Sequence, residues 1–227
     1  MPKENVLKLE HVTKIYNGKI PVVALSDINL EIEDGELIAI QGPSGSGKTT
    51  LLTIMGTLAL PTKGKVYIYG KDVTSIPQKE ISKIRNNYIG FVFQSYNLIE
   101  RLTVLKNVEL PLIARGVGES ERKRISIEIL EKLGLKDLIY RKPNELSGGQ
   151  QQRVAIARAL AQNPKIILAD EPTANLDSKS GEIVLETFKQ ANKDFGTTVI
   201  LVTHDMDVAN IAQRKIFIRD GKIIDIK

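Results

Sequence analysis

Gly42-Pro43-Ser44-Gly45-Ser46-Gly47-Lys48-Thr49 matches G-x-x-x-x-G-K-[ST] in full, and its surroundings suit the match. In front of it, Leu37-Ile38-Ala39-Ile40 has no polar residue, the pattern of a strand buried on both faces. Behind it, a helical stretch is expected from about Lys48 to Leu58. Glycines let the backbone wrap closely and aim N–H groups inward at phosphate oxygens. The dipole of the following helix adds favourable potential at the same point. Lys48 is then expected on the β- and γ-phosphates and the Thr49 hydroxyl on Mg²⁺, with Thr50 beside them. A glycine-rich turn with an incidental lysine is the alternative, and the strand–loop–helix order weighs against it. The stretch predicts a nucleotide site in an α/β fold.

Working outward, Val6-Leu7-Lys8-Leu9 and Ala24-Leu25 through Ile32 read as strands, ending at the turn Asp34-Gly35. Lys65–Lys71 alternates and closes on glycine like an edge or hairpin strand, and Ile89–Phe93 reads as buried. From about Asn97 to Ala161 the pattern turns mostly helical. Glu119–Leu133 has helical periodicity with Gly134 as a stop, and Gln150–Ala161 puts Val154, Ala157 and Ala161 on one face. Strands return at Ile166–Ala169 and Thr198–Val202, on either side of a helix Gly181–Asp194. A hairpin through Asp220-Gly221 closes the chain. The layout is an α/β core holding a helical insertion expected to behave as a subdomain.

Two further stretches bear on chemistry. In Lys165-Ile166-Ile167-Leu168-Ala169-Asp170-Glu171 an apolar strand delivers two acids at its C-terminal end, where ligands bind in open parallel sheets. Neighbouring strand residues face opposite ways, so the two carboxylates take different jobs. Asp170 is placed to hold Mg²⁺, and Glu171 to act on water as a general base. Leu146-Ser147-Gly148-Gly149-Gln150 opens a helix with a capping serine and two glycines, a second helix start fitted to an anion.

These motifs, in this order, resemble the ABC (ATP-binding cassette) family across essentially the whole chain. Leu146–Gln150 looks like the ABC signature, and the run that follows it to Leu160 is similar too. The resemblance implies a P-loop NTPase (RecA-like) core with an antiparallel β subdomain and an inserted α-helical subdomain. Residues 1–94 and 162–227 would form the core with the β subdomain, and 95–161 the helical part. It also implies further roles. Tyr16 resembles the aromatic that stacks on adenine, with an ordinary strand aromatic as the alternative. Gln94 resembles the Q-loop glutamine, which touches Mg²⁺ and the water. In Asn175-Leu176-Asp177 it implies the D-loop, with Asp177 at a dimer interface. His204 resembles the switch histidine, a hydrogen-bond donor to developing charge. ATP and Mg²⁺ are the implied cofactors. Two copies would bind head to tail, Ser147, Gly148, Gly149 and Gln150 of one closing over the ATP of the other. Gly90–Gln94, Asn97-Leu98, Leu102-Thr103 and Asn107–Leu112 look like the lipoprotein-releasing and macrolide-export branch, whose ATPases drive separate transmembrane permease subunits.

Composition bounds the alternatives. The 227 residues, 42% hydrophobic and 26% charged, suit one globular domain. The absence of cysteine excludes disulfides and thiolate chemistry, and two histidines make a histidine-built metal centre a poor fit. The net charge of +5 is spread along the chain, so no nucleic acid partner is expected; Arg122-Lys123-Arg124 reads as a solvated helix face first, an interaction patch second. The N-terminus lacks a signal-peptide pattern and no apolar run is long enough to span a bilayer. A cytoplasmic protein, peripheral on the inner face of the membrane through its partner, is expected. Among rivals, DNA-repair ABC proteins carry a long coiled coil between the two phosphate loops, but Lys48 and Ser147 lie only 99 residues apart. A nucleotide-gated scaffold without turnover is disfavoured by the presence of both Glu171 and His204.

Overall fold

Apolar runs too short for helices pair side by side here, and polar-faced stretches between them cover the resulting sheet. The computed structural model describes residues 5–227; Met1–Glu4, the start of the N-terminal stretch read above, lie outside the described residues. In chain order the elements are β1 (Asn5–Tyr16), β2 (Val22–Glu33), β3 (Leu37–Gln41), α1 (Lys48–Met55), β4 (Lys63–Ile68) and β5 (Lys71–Asp72). Then come α2 (Gln78–Tyr88), β6 (Ile89–Val92), α3 (Val104–Ala114), α4 (Glu119–Lys132) and α5 (Gly148–Ala161). The chain finishes with β7 (Ile166–Asp170), α6 (Ser178–Phe195), β8 (Thr198–Thr203), α7 (Met206–Asn210), β9 (Arg214–Arg219) and β10 (Lys222–Ile226).

Two sheets result. One is antiparallel, in the order β2-β1-β4-β5; the other runs β10-β9-β3-β8-β7-β6, parallel except for β10. The expected α/β architecture with a separate antiparallel layer is therefore present. Every residue of β3 and β8 is buried, as central strands covered on both faces require. One face of the parallel sheet, through Ile38, Ile40, Ile200 and Val202, packs with α1 and the antiparallel layer in one apolar cluster. The opposite face, through Ala169, Val199 and Leu201, shares a second cluster with α3, α4, α5 and α6, where Phe188 is fully buried. The helices of the insertion thus share apolar packing with the sheet. Among the described residues, no helix is long and apolar enough to cross a membrane.

Several boundaries differ from the sequence reading, each for a local reason. The first strand runs on to Tyr16 instead of ending at Leu9, because shifts of register let it bend past His11, whose φ is 51°. The helix after the glycine loop stops at Met55, not Leu58: Gly56 follows, and Thr57 is left-handed. Helix α2 went unforeseen because only Ile81 and Ile84 are buried on an otherwise polar segment. Helix α5 begins at Gly148, since Ser147 caps it: Gln150 N–H donates to Ser147 Oγ, and Ser147 N–H to Gln150 Oε1. Helix α6 begins at Ser178, capped by Asp177, three residues before the expected start. Residues 97–103 are a loop organised by the fully buried Asn107, whose amide bonds Ile99, Leu102 and Thr103 backbone. The basic cluster is not uniformly solvated. Arg124 pairs with Glu121 and Glu128 on the exposed face, but Arg122 is mostly buried against Glu109, a fully buried carboxylate that Lys106 also meets.

Candidate nucleotide site

Because β3, β6, β7 and β8 are parallel, their C-terminal ends emerge along one edge of the sheet. Gln41 pairs with Thr203, Asp170 with Val202, and Val92 with Ala169. The segments that follow therefore meet: the glycine loop after β3, Gln94 after β6, Glu171 after β7 and His204 after β8. They line a cavity of about 650 Å³ together with Val22, Val23 and Ala24 of β2. Pro43, Ser44, Gly45, Gly47, Lys48, Thr49 and Thr50 all face it.

Lys48 is 7% exposed and has no ion pair among the described residues; its ammonium donates to the carbonyls of Gly42 (2.7 Å) and Pro43 (2.9 Å). The loop is held from behind as well. The carbonyl of Ala24 sits between two glycines, so closely that a Cβ on Gly47 would lie 2.5 Å from it and one on Gly221 2.7 Å. Both glycines have positive φ, 102° and 72°. Gly221 N–H donates to Ser46 O at 3.0 Å, and Ser26 N–H to Gly221 O at 2.8 Å. The β9–β10 turn thus clasps the phosphate loop to β2.

The two acids diverge as their alternation predicted. Asp170 turns to the helix, accepting from Thr49 Oγ1 at 3.5 Å. Burial pushes its carboxyl above the usual range; the Thr49 hydrogen bond and Lys48 act against this, and Glu171 adds to it. Glu171, just past the strand, takes a left-handed φ of 44°. Its Oε1 lies 2.7 Å from His204 Nδ1, and its Oε2 accepts from Thr203 Oγ1 at 3.1 Å and from His204 N–H at 3.4 Å. Gln94 exchanges two hydrogen bonds with Asn175: its side-chain amide donates to Asn175 Oδ1 at 3.4 Å, and Asn175 Nδ2 to Gln94 O at 3.2 Å.

Other expected residues lie apart. Tyr16 is 46% exposed and pairs with Val22, so it stands next to the cavity rather than in its lining. Ser147, Gly148, Gly149 and Gln150 are all absent from that lining. Asp177 caps α6, accepting from Ser180 N–H at 3.0 Å; hydrogen bonds from the Ser180 side chain first and its backbone second hold the Asp177 carboxyl below the usual range. Thr203 is not singled out by the sequence, though it could have been suspected as the neighbour of His204. Asn175 and the Asp220-Gly221 turn read there only as part of the D-loop and as a hairpin; their contacts with Gln94 and the glycine loop have no local pattern.

The family model for "ABC transporter" matches residues 25–174. An ABC transporter ATP-binding protein of Thermotoga maritima is 52% identical over 225 residues, 99% of this chain and 96% of that one. The chain belongs to the ABC transporter family. The solved ABC cassette MJ0796, in a dimeric post-hydrolysis state bound to ADP and Pi, superposes with a TM-score of 0.89 at 49% identity over 97% of each chain. The macrolide export ATP-binding/permease protein MacB of Bartonella henselae is 49% identical over 96% of this chain, which spans 33% of that longer protein. As an ABC cassette, the chain is an ATP-binding, ATP-hydrolysing protein.

The site also suits Mg²⁺. Two hard oxygens, Thr49 Oγ1 and Asp170 Oδ1, face each other at 3.5 Å beside the cavity, with Gln94 on its wall. No cluster of three or more His, Cys, Asp or Glu occurs among the described residues. A small set of protein oxygens suits a cation that keeps its waters and shares substrate phosphates.

Proposed function

We propose that this ABC ATPase is the motor of a transporter whose membrane-spanning part lies on separate subunits, and that it works as a head-to-tail pair of identical chains. The observation that carries the pairing is the separation within one chain: Lys48, Gln94, Glu171 and His204 line one cavity, with Asp170 held beside it through Thr49, while the capped start of α5 at Ser147 lies outside it. One nucleotide needs one P-loop, so the second anion-fitted helix start is left for a partner's nucleotide. A two-fold arrangement completes two such sites at once. The dimeric form of MJ0796 supports this reading.

In the assembled site Lys48 exchanges its two loop carbonyls for phosphate oxygens. Thr49, Asp170 and Gln94 hold Mg²⁺, which when bound draws charge from the transferring phosphoryl group. Glu171 takes the proton of the attacking water, and its contacts with Thr203 and His204 fix the carboxylate's direction. His204, two-thirds exposed at its side chain, is free to turn toward developing charge. Tyr16, beside Val22, stacks on the adenine, and Asp177 lies at the pair's interface. Residues 1–94 and 162–227 act as the catalytic body and 95–161 as the part that carries the signature. The likeness to MacB supports export or extraction from the membrane or beyond it, with the cassette held peripherally at the cytoplasmic face by its permease.

Light scattering on Glu171→Gln, with and without ATP, tests the pairing. Doubling of the mass only with ATP is expected. A monomer at every concentration, with ATP bound, would refute the role given to Ser147.

A further inference from the structure

Three loops of one chain meet at Tyr96. Two residues after Gln94 the backbone turns sharply, with Tyr96 and Asn97 both left-handed at φ 60° and 51° although neither is glycine. Arg158 of α5, half-buried, holds this turn: its guanidinium donates to Tyr96 O at 2.8 Å and also to Asn97 O. The planar fork suits two adjacent carbonyls in a way a lysine does not. From the fixed turn the Tyr96 ring reaches the other end of the same helix. A Cβ on Gly148 would lie 2.9 Å from Tyr96 Oη and 3.1 Å from Leu176 Cδ2. Gly148 does not have a positive φ, so its backbone does not require glycine. The missing side chain makes room for the tyrosine hydroxyl. The third loop joins through Asn175, which exchanges two hydrogen bonds with Gln94 and precedes Leu176.

We propose that Tyr96 is a positioning residue that passes the placement of Gln94 to Gly148, and so to the Ser147 end of α5 in the same chain. Gln94 lines this chain's own nucleotide cavity, whereas Ser147 serves the partner's nucleotide. Occupancy of one site therefore sets how well the chain closes on the other. The approach is close enough that no side chain fits at Gly148: Arg158 holds the turn that carries Tyr96, and Leu176 lies against the same position. The inference rests on the reading of Ser147–Gln150 as a site acting across the pair.

Two measurements test it. The first compares Tyr96→Ala with the parent chain, reading ATP affinity of the dilute monomer and the Hill coefficient of hydrolysis. Affinity unchanged within about twofold, with the Hill coefficient falling from about 2 toward 1, is expected. The second places Gly148→Ala in the Glu171→Gln background and reads ATP-driven pairing. Gly148→Ala weakens pairing about fivefold or more, and adding Tyr96→Phe recovers most of the loss, because the new methyl then has space. An unchanged Hill coefficient in Tyr96→Ala, or no recovery on adding Tyr96→Phe, overturns the proposal. Should Tyr96→Ala fail to fold, judged by its circular dichroism, the recovery experiment decides alone. If the Glu171→Gln chain with Tyr96 and Gly148 intact does not pair with ATP, the reading of Ser147 fails and the proposal falls with it.

Discussion

Gly221 lies far from the P-loop in sequence, yet replacing it with alanine should damage nucleotide binding. An alanine held at the left-handed φ of 72° costs about 1–2 kcal/mol for the backbone alone. Its methyl would also meet three backbone atoms, Ala24 O at 2.7 Å and Ala24 C and Leu25 Cα at 3.1 Å, where ordinary contacts begin near 3.4 Å. Overpacking of this kind adds about 1–3 kcal/mol, so the expected loss is about 2–5 kcal/mol. Gly196 supplies the control: its φ is 62°, and a Cβ there meets nothing within 4 Å. Gly196→Ala should carry only the backbone cost, about 1–2 kcal/mol. The two also differ in reach. Gly221 N–H holds Ser46 O in the glycine loop, so displacement of the turn is passed to the loop residues that line the cavity. If about 1.4 kcal/mol of the loss falls on the loop, ATP affinity drops about tenfold. Urea unfolding gives the stabilities, and titration calorimetry with ATP gives the affinities. The reasoning fails if Gly221→Ala is as stable as Gly196→Ala and binds ATP as tightly as the parent.

Glu171→Gln should keep ATP affinity and slow turnover by about 10²–10⁴-fold, the range for loss of a general base, as measured by phosphate release. Asp170→Asn should raise the melting temperature of the nucleotide-free protein at neutral pH while removing its Mg²⁺-dependent gain in ATP affinity. The sign follows from burial: a carboxyl whose folded pKa is raised loses stability as pH rises from its unfolded value through its folded one, a penalty on the ionised form that asparagine lacks. An unaltered or lower melting temperature would contradict it. Glu109→Ala should cost about 3 kcal/mol in urea unfolding, because it removes the fully buried partner of the mostly buried Arg122, whereas Arg124→Ala should leave the unfolding midpoint unchanged.

What the sequence disclosed depended on how locally each feature is encoded. The P-loop, the acid pair and the capped start of α5 are contiguous, and their strand or helix context could be read from a few neighbouring residues. That Asp170 and Glu171 part company was expected from alternation, although Glu171 owes its direction to a left-handed turn just past the strand. Helix α2 was invisible because two buried isoleucines among polar residues leave little periodic signal. The extent of β1 was hidden by its bulges, where side-chain alternation breaks down. The clasp on Ala24 and the bonds between Gln94 and Asn175 join residues far apart in the chain. Neither has a local pattern, since hydrogen bonds of that kind depend on which strands become neighbours. Arg122 misled for the same reason: its burial is decided by Glu109, an acid on another helix.

The backbone at Glu171 also has a bearing on how such a protein can change over generations. Its left-handed conformation is one that folding alone would give to glycine, since an L-residue there costs about 1–2 kcal/mol. A mutation to glycine would relieve that strain while giving up the contacts with Thr203 and His204, so the net effect on the fold is small. It would, however, remove the base proposed to turn over ATP. Loss of catalysis at this position therefore meets almost no resistance from stability, and a lineage could drift into a binding-only switch without passing through a misfolded intermediate. On the role proposed for Glu171, the carboxylate is kept by its chemistry and not by its backbone, whose left-handed φ of 44° favours glycine.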